Sequence, residues 1–347
     1  MSGILVLPAN QPTERFYRGG PRIAAFRGTD SVRDDVPEDW IASTTPLFGE
    51  ERLGLTALAD GTLLRDAIRT DPVRWLGAEH VRAFGADTGL LVKLLDAGQR
   101  LPVHVHPSRE DGRRLLGMAH GKTEAWLVLE GGEVHLGFAE PVERAVLDDW
   151  VARQDVDAML AAMHRIRVEP GRSVLVPAGM PHAIGRGVFV VELQEPADAS
   201  VMLEWRDFAI DGPGAGQLGL GLERSLTTVD RRGWSAESIA ALVTVPTRDR
   251  PVALPVDADP FFRAEWFTDA DGVELDAGFA VLIVTAGQGI VRSADESLPV
   301  ARGTVLLVPH EAGPVRLEGP LSVVRARPPA PETSPAAPSL ERSETTP

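Results

Sequence analysis

The stretch LPVHVHPSRE, residues 101–110, carries two histidines one residue apart, closed by a proline and followed four residues after the second by a glutamate. In an extended chain alternate side chains share a face, so His104 and His106 point one way and Val103 and Val105 the other. Two imidazoles so placed can share one metal ion. The pair alone is equally compatible with two surface histidines, so the decision rests on its surroundings. Cysteine is absent from all 347 residues, which excludes disulfides, thiolate nucleophiles and cysteine-held zinc or iron–sulfur centres. A metal in this chain must be held by histidine, carboxylate or amide.

The elements that must position the pair belong to a strand-rich block. Residues 1 to about 90 alternate turn-rich stretches with short helical patterns, such as LLRDAIRTDPVRWLG from Leu63 to Gly77. From Gly89 onward LLVKLL, RLPVHVH, EAWLVLE, EVHLGFA, SVLVPAG and GVFVVELQ follow one another, separated by glycine, proline or charge. That is the rhythm of an all-β sandwich or barrel. Pro141 to Arg165 interrupts it: LDDWVARQDVDAMLAAMHRI has helical spacing and no glycine, which predicts a helical insertion between strands. Residues 210–255 are linker-like, and a second strand-rich block from Phe261 to about Arg327 echoes the first as a degenerate copy. The expected division is an N-terminal domain over 1–240, a C-terminal domain over 250–327 and a disordered tail over 328–347, where PAPETSPAAPSLERSETTP is proline- and serine-rich.

Fifty acidic residues against 35 basic ones give a net charge of −15. With no basic run to offset it, nucleic acid and anionic membrane surfaces are excluded as partners. No apolar run reaches the ~18 residues of a membrane span, and the N-terminus lacks the basic, long apolar pattern of a secretory signal. A cytoplasmic protein is expected; the sequence leaves the oligomeric state open, with a monomer slightly favoured.

Gly98, six residues before His104, and GRSVLVPAGMPH at 171–182 together resemble the paired signature of the cupin superfamily, double-sheet jelly rolls with a metal at the barrel centre. Pro177 and Gly179 make a tight turn that ends one strand, and His182 enters the next strand where it can face the histidine pair. Two glutamates compete for the remaining place. Glu110 stands at the spacing of the generic signature but in HPSREDGRR, which reads as a solvated loop; Glu124 opens EAWLVLEGG, a strand closed by Gly131 and Gly132. A ligand needs a rigid scaffold behind it, so Glu124 is the expected ligand and Glu110 a solvated charge. His104, His106, Glu124 and His182 then make a mixed nitrogen and oxygen site, open to zinc, manganese or iron.

KLLDAGQRLPVHVHPS, GKTEAWLVLEGG and VEPGRSVLVPAGMPHAIGRGVFVVELQEPADAS follow in order the blocks of class I mannose-6-phosphate isomerases of the short bacterial type, and YRGG and PEDWIAST resemble that family's opening blocks. The resemblance spans residues 15 to 325 and includes a second cupin without metal ligands. It implies two tandem cupin jelly rolls and one Zn2+ per chain. It also implies an aldose–ketose isomerase that interconverts mannose 6-phosphate and fructose 6-phosphate, with a small sugar phosphate as its partner. The family's zinc ligands, glutamine, histidine, glutamate and histidine, fall on His104, His106, Glu124 and His182, so His104 replaces the glutamine. An active-site lysine falls on Lys122, and Asp198 is kept. Lys93 also matches a family position but is read as a strand residue that snorkels its amine to solvent. In QEPADASVM, residues 194–202, Met202 stands where the family has its catalytic arginine. Arg186 and Arg206 are near in sequence and are read as surface residues. His80, His120, His135 and His164 are likewise read as surface residues, and His310 as structural.

Two other readings compete. Three histidines with one glutamate is also the ligand set of many oxygen-using cupins, which makes an oxygenase-type cupin an alternative. Loss of the arginine at Met202 fits a catalytically silent sugar-binding cupin.

Overall fold

The computed structural model describes residues 3–13, 15–29 and 33–333. The apolar runs after Gly89 become the strands of two facing antiparallel sheets. The larger has six strands, in the order Val243–Thr244, Ser173–Val176, Glu124–Glu130, Phe189–Gln194, Leu91–Asp96 and Glu38–Ile41. The smaller has five, in the order Val201–Met202, His104–Val105, His182–Ile184, Gly132–Phe138 and Met163–Val168. Leu91–Asp96 and Phe189–Gln194 are buried along their whole length. Strands covered on both faces lose the apolar–polar alternation, which is why they read as continuous apolar runs.

The helical insertion is present as Arg144–Arg153 and Val156–Ala162. Its Leu147, Val151 and Met159 pack in one buried cluster with Val103, Val105, Ala183 and Val201. This cluster fixes the direction of the histidine pair: burial of each valine, worth roughly 1.5–3 kcal/mol, holds that face of the strand against the helices and turns His104 and His106 into the barrel. The helix ends earlier than the sequence predicts. Met163–Arg165 already belong to a strand whose burial alternates along its length, so the periodicity changes from helix to strand at Met163.

The second block contributes seven strands to a further, eight-stranded assembly. Its long strand Ala280–Arg292 pairs first with Val305–Val308 and Leu321–Arg327, then with Ser297–Ala301 and Val315–Glu318. A register shift between Val284 and Ala286 bends it, so one strand serves both sheets of the second barrel. Leu282, Val284, Leu306, Leu317 and Val323 form its own core. The strand Leu5–Val6 extends this sheet through Leu306 and Leu307, joining the start of the chain to its last barrel. The fold is all-β, with two tandem cupin-type jelly rolls and helical insertions.

Two expected irregular regions are more ordered than their composition suggests. The stretch 210–255 contains the helices Leu222–Ser225 and Ala236–Ala241 and the edge strand Val243–Thr244, and it buries Gln217 and Leu226. The tail begins later than Pro328: Arg263 Nε donates to the Pro328 carbonyl at 3.0 Å, Ala330 is buried, and Pro331–Thr333 form a 3-10 turn. The remainder of the expected tail, 334–347, lies outside the described residues. Among the described residues no helix is long and apolar enough to cross a membrane.

Gly98 has a packing reason. A Cβ at this position would lie 2.1 Å from the Gly19 carbonyl oxygen and 2.6 Å from the Gly20 nitrogen, so only glycine lets the N-terminal segment cross the end of the Leu91–Asp96 strand. Gly98→Ala is expected to destabilise the protein by about 1–3 kcal/mol through overpacking, read as a lower denaturant midpoint at unchanged m-value.

Candidate active site

His104 and His182 are directly opposite each other on adjacent strands, and His106 follows His104 by two residues. Their ligand atoms all lie within 4.8 Å of one another. This is the only metal-competent group of three or more such residues found among the described residues. Each ring is oriented from behind by a backbone carbonyl: His104 Nδ1 donates to Pro102 O at 2.8 Å, His182 Nδ1 to Met180 O at 2.8 Å, and His106 Nδ1 to Ala199 O at 3.1 Å. A carbonyl can only accept, so the proton of each neutral ring sits on Nδ1 and the Nε2 lone pair is left for a ligand role. Burial, foremost, holds His104 well below its ordinary pKa and lowers His106 to about 3. The turn that delivers His182 is closed by Gly179, with φ of +84°, whose N–H donates to His106 O at 2.8 Å.

Glu124 closes the group. Its Oε2 lies 2.9 Å from His106 Nε2 and its Oε1 3.4 Å from His182 Nε2, while Trp126 Nε1 donates to Oε1 at 2.9 Å. The Lys122 amine stands 3.3 Å from Glu124 Oε2 and 3.2 Å from His106 Nε2. All five residues are 5 % exposed or less. Burial opposes a charge on Glu124, but His106 and Lys122 outweigh it and hold the carboxyl well below its ordinary value. Glu124 Oε2 and His182 Nε2 are buried without a hydrogen bond. Imidazole lone pairs that converge on a carboxylate in a dry interior call for a cation among them, so the residues present fit a divalent metal. Glu110 is not among them. It lies on the short helix Arg109–Asp111, which continues as a π-helical turn over Gly112–Leu116; the expected loop is helical, and Glu110 is exposed on it.

A second cluster lies beside the first on the inner face of the large sheet. Glu192 is opposite Trp126 on one side and Lys93 on the other, and Lys93 is opposite Trp40. Directly opposed residues share a face, so this row crosses four strands from Trp126, two residues along the same strand from Glu124. Lys93 Nζ is 3.6 Å from Glu38, 3.6 Å from Glu192 and 3.8 Å from Asp198. Arg15 reaches the same group, 3.2 Å from Glu38 and 3.5 Å from Asp198, and Tyr17 and Trp40 donate to Glu38 at 2.6 and 2.7 Å. Lys93 therefore does not snorkel. It is 1 % exposed because it stands on an inner strand flanked by two others, with no route to solvent. Lys93→Met is expected to cost about 3–5 kcal/mol, the penalty for stranding buried carboxylates, in a urea melt of the metal-free protein; a solvated lysine would cost well under ~1 kcal/mol.

Arg15 and Lys93 supply two cations against three carboxylates, Glu38, Asp198 and Glu192. Such a buried set retains a proton. Glu38 is held far below its ordinary value despite burial, by Arg15 and then Lys93. The proton falls instead on Glu192, whose carboxyl is pushed up to about 7, by burial first and then by the charge of Glu124. Its Oε1 has no hydrogen-bond partner. Sequence reading missed Arg15, Glu38 and Glu192. The charge in the otherwise apolar run VFVVELQ was the signal for Glu192, since a charged residue in a fully covered strand needs a reason.

Met202 is opposite His104 and brings a thioether to that rim of the site. Arg206 is held by the Arg153 carbonyl and Arg186 is exposed; the arginine that reaches Asp198 is Arg15. Two of the histidines read as surface residues, His80 and His135, are buried, with 7 % and 8 % exposure. His80 is anchored on Asp87 O, while His120 and His164 are partly buried and bonded to Asp87 and to Trp234 O.

No family model matches the chain. It is 27 % identical over 315 residues to a mannose-6-phosphate isomerase of Streptococcus mutans, covering 88 % of this chain and 93 % of that one. It is 28 % identical over 260 residues to a mannose-6-phosphate isomerase of Bacillus subtilis, covering 70 % and 78 %. Among solved structures, the mannose 6-phosphate isomerase of Bacillus subtilis superposes with a TM-score of 0.69 at 18 % identity over 94 % of this chain and 100 % of that one. A variant of phosphomannose isomerase from Salmonella typhimurium superposes with a TM-score of 0.71 at 16 % identity, over 94 % and 99 %. The structural likenesses concern the fold.

Proposed function

We propose that the chain, 27–28 % identical to two mannose-6-phosphate isomerases, is a class I, cupin-type member of that family and a metal-dependent aldose–ketose isomerase interconverting mannose 6-phosphate and fructose 6-phosphate. The observation that carries this reading is the convergence, inside one barrel, of three histidines from the smaller sheet presenting Nε2 to Glu124 of the larger sheet, with the buried Glu192 carboxyl on the strand next to Glu124. His104, His106, Glu124 and His182 are the proposed ligands, and Zn2+ suits three imidazoles and one carboxylate. When bound, the ion supplies Lewis-acid polarisation of the sugar's carbonyl and hydroxyl oxygens.

Aldose–ketose interconversion moves a proton between adjacent carbons through an enediol. Glu192 is suited to take and return that proton, because a base is most effective with a pKa near the working pH. Lys122, beside the ligand carboxylate, can donate to the oxygen on which negative charge develops. Asp198, fixed by Arg15 and by the Phe48 N–H at 3.3 Å, orients the sugar hydroxyls. Residues 1–240 carry this machinery in the proposed division, and 250–327 form a degenerate cupin.

The test is a coupled assay of fructose 6-phosphate formation from mannose 6-phosphate by metal-loaded protein, beside His182→Ala. Turnover abolished by that substitution supports the reading. Turnover indifferent to it overturns the site, and none on any hexose phosphate favours the silent sugar-binding cupin.

A further inference from the structure

A cleft of about 380 Å³ is bordered by Arg65, Arg69 and His120 and by Thr44, Thr45 and Thr88. Thr44 and Thr88 bond each other at 3.1 Å and Thr88 donates to Leu90 O at 3.3 Å, but in a chain with net charge −15 a concentration of cationic side chains in one concavity is an anion site in chemical character. Arg65 and Arg69 stand four apart on the helix Leu64–Thr70 and so present both guanidinium groups on one side. The carboxylates facing them are few. Asp66 is 3.5 Å from Arg65 and 4.0 Å from Arg69 and is half exposed, and Asp87 is bonded to His120 at 2.6 Å. The Asp66 contact is made by the buried Arg65 Nε, without a hydrogen bond, so the rest of the guanidinium fork is left for another acceptor.

The cleft adjoins the proposed reaction site through two chain segments. Pro196, which also borders it, is two residues from Asp198; His120 is two residues from Lys122. Thr45 precedes Phe48, whose N–H contacts Asp198, by three residues. A molecule whose reacting carbons sit at the metal ligands and whose other end carries a dianion would find its anionic partners here. We propose that this cleft holds the phosphoryl group of the substrate through Arg65, Arg69 and the Thr45 hydroxyl, an inference that rests on the isomerase reading. Guanidinium groups meet phosphoryl oxygens in paired hydrogen bonds, and the site thereby selects phosphorylated over free sugars.

The experiment compares Arg65→Gln, Arg69→Gln and the double variant with wild type and with Arg248→Gln, whose exposed guanidinium is outside the cleft and pairs with Asp269. Steady-state isomerisation of mannose 6-phosphate, inhibition by inorganic phosphate and metal content are measured. Each single variant is expected to raise KM and the phosphate inhibition constant together by roughly tenfold, with kcat, metal content and melting temperature close to wild type. Unchanged KM and unchanged phosphate inhibition in the double variant overturn the proposal while the isomerase reading stands. If wild type isomerises nothing, the reading fails and calorimetry with inorganic phosphate decides the cleft separately: binding lost in the double variant supports an anion site, and binding absent from wild type or equal in both overturns it.

Discussion

Glu124→Ala is expected to leave a folded protein that no longer retains its metal and whose kcat/KM falls by more than the ~100-fold that losing a partner behind a metal ligand costs. The reason is geometric. Glu124 contacts Nε2 of both His106 and His182, at 2.9 and 3.4 Å, and without it Lys122 would face three imidazoles with no carboxylate between them. Glu110→Ala is the matched control, because that residue is exposed on the Arg109–Asp111 helix; it should change metal content and turnover by less than about twofold, as surface substitutions do. Metal analysis of the two purified variants beside their turnover separates the glutamates that sequence spacing left in competition.

Glu192→Gln is expected to lower kcat by about 10²–10⁴-fold, the range for loss of a positioned acid–base group, while metal content stays at the wild-type value. A second readout comes from stability. In the fold the Glu192 carboxyl is raised from 4.5 to about 7, so the native state holds this proton over a range where the unfolded chain has released it. Such a group costs stability as pH rises: its contribution is neutral below about 4.5, turns unfavourable between 4.5 and about 7, and levels off above. The amide of the glutamine variant does not titrate in this range. The metal-free Glu192→Gln protein should therefore gain stability relative to wild type on going from pH 5 to pH 8, and thermal melts at the two values check the sign.

The metal-competent cluster was legible in the sequence because it is built from local patterns: an alternating strand, a proline–glycine turn and a strand-opening glutamate. The choice of Glu124 over Glu110 came from asking which of them had a strand behind it. The charged row beside the cluster was not legible. Arg15 meets Asp198 across 183 residues of chain, and no spacing rule connects them. Lys93 was misread because snorkelling presumes a strand with an open side, whereas its strand has Glu38–Ile41 on one side and Phe189–Gln194 on the other. Arg65 and Arg69 carry no signal in the sequence, since four-residue spacing of arginines is common on exposed helices; only the fold brings His120 and the threonines to the same cleft. The helix end at Met163 was overrun because MHRI keeps apolar residues at a spacing both periods allow.

The central claim is that the histidine–glutamate cluster holds the metal on which sugar-phosphate isomerisation depends. The most direct measurement is turnover of mannose 6-phosphate by chelator-stripped protein titrated with Zn2+. The account predicts no activity in the stripped protein and a linear return to a break at one equivalent per chain, with no return in Glu124→Ala. Full activity in verifiably metal-free protein, or the same return in Glu124→Ala as in wild type, would contradict it.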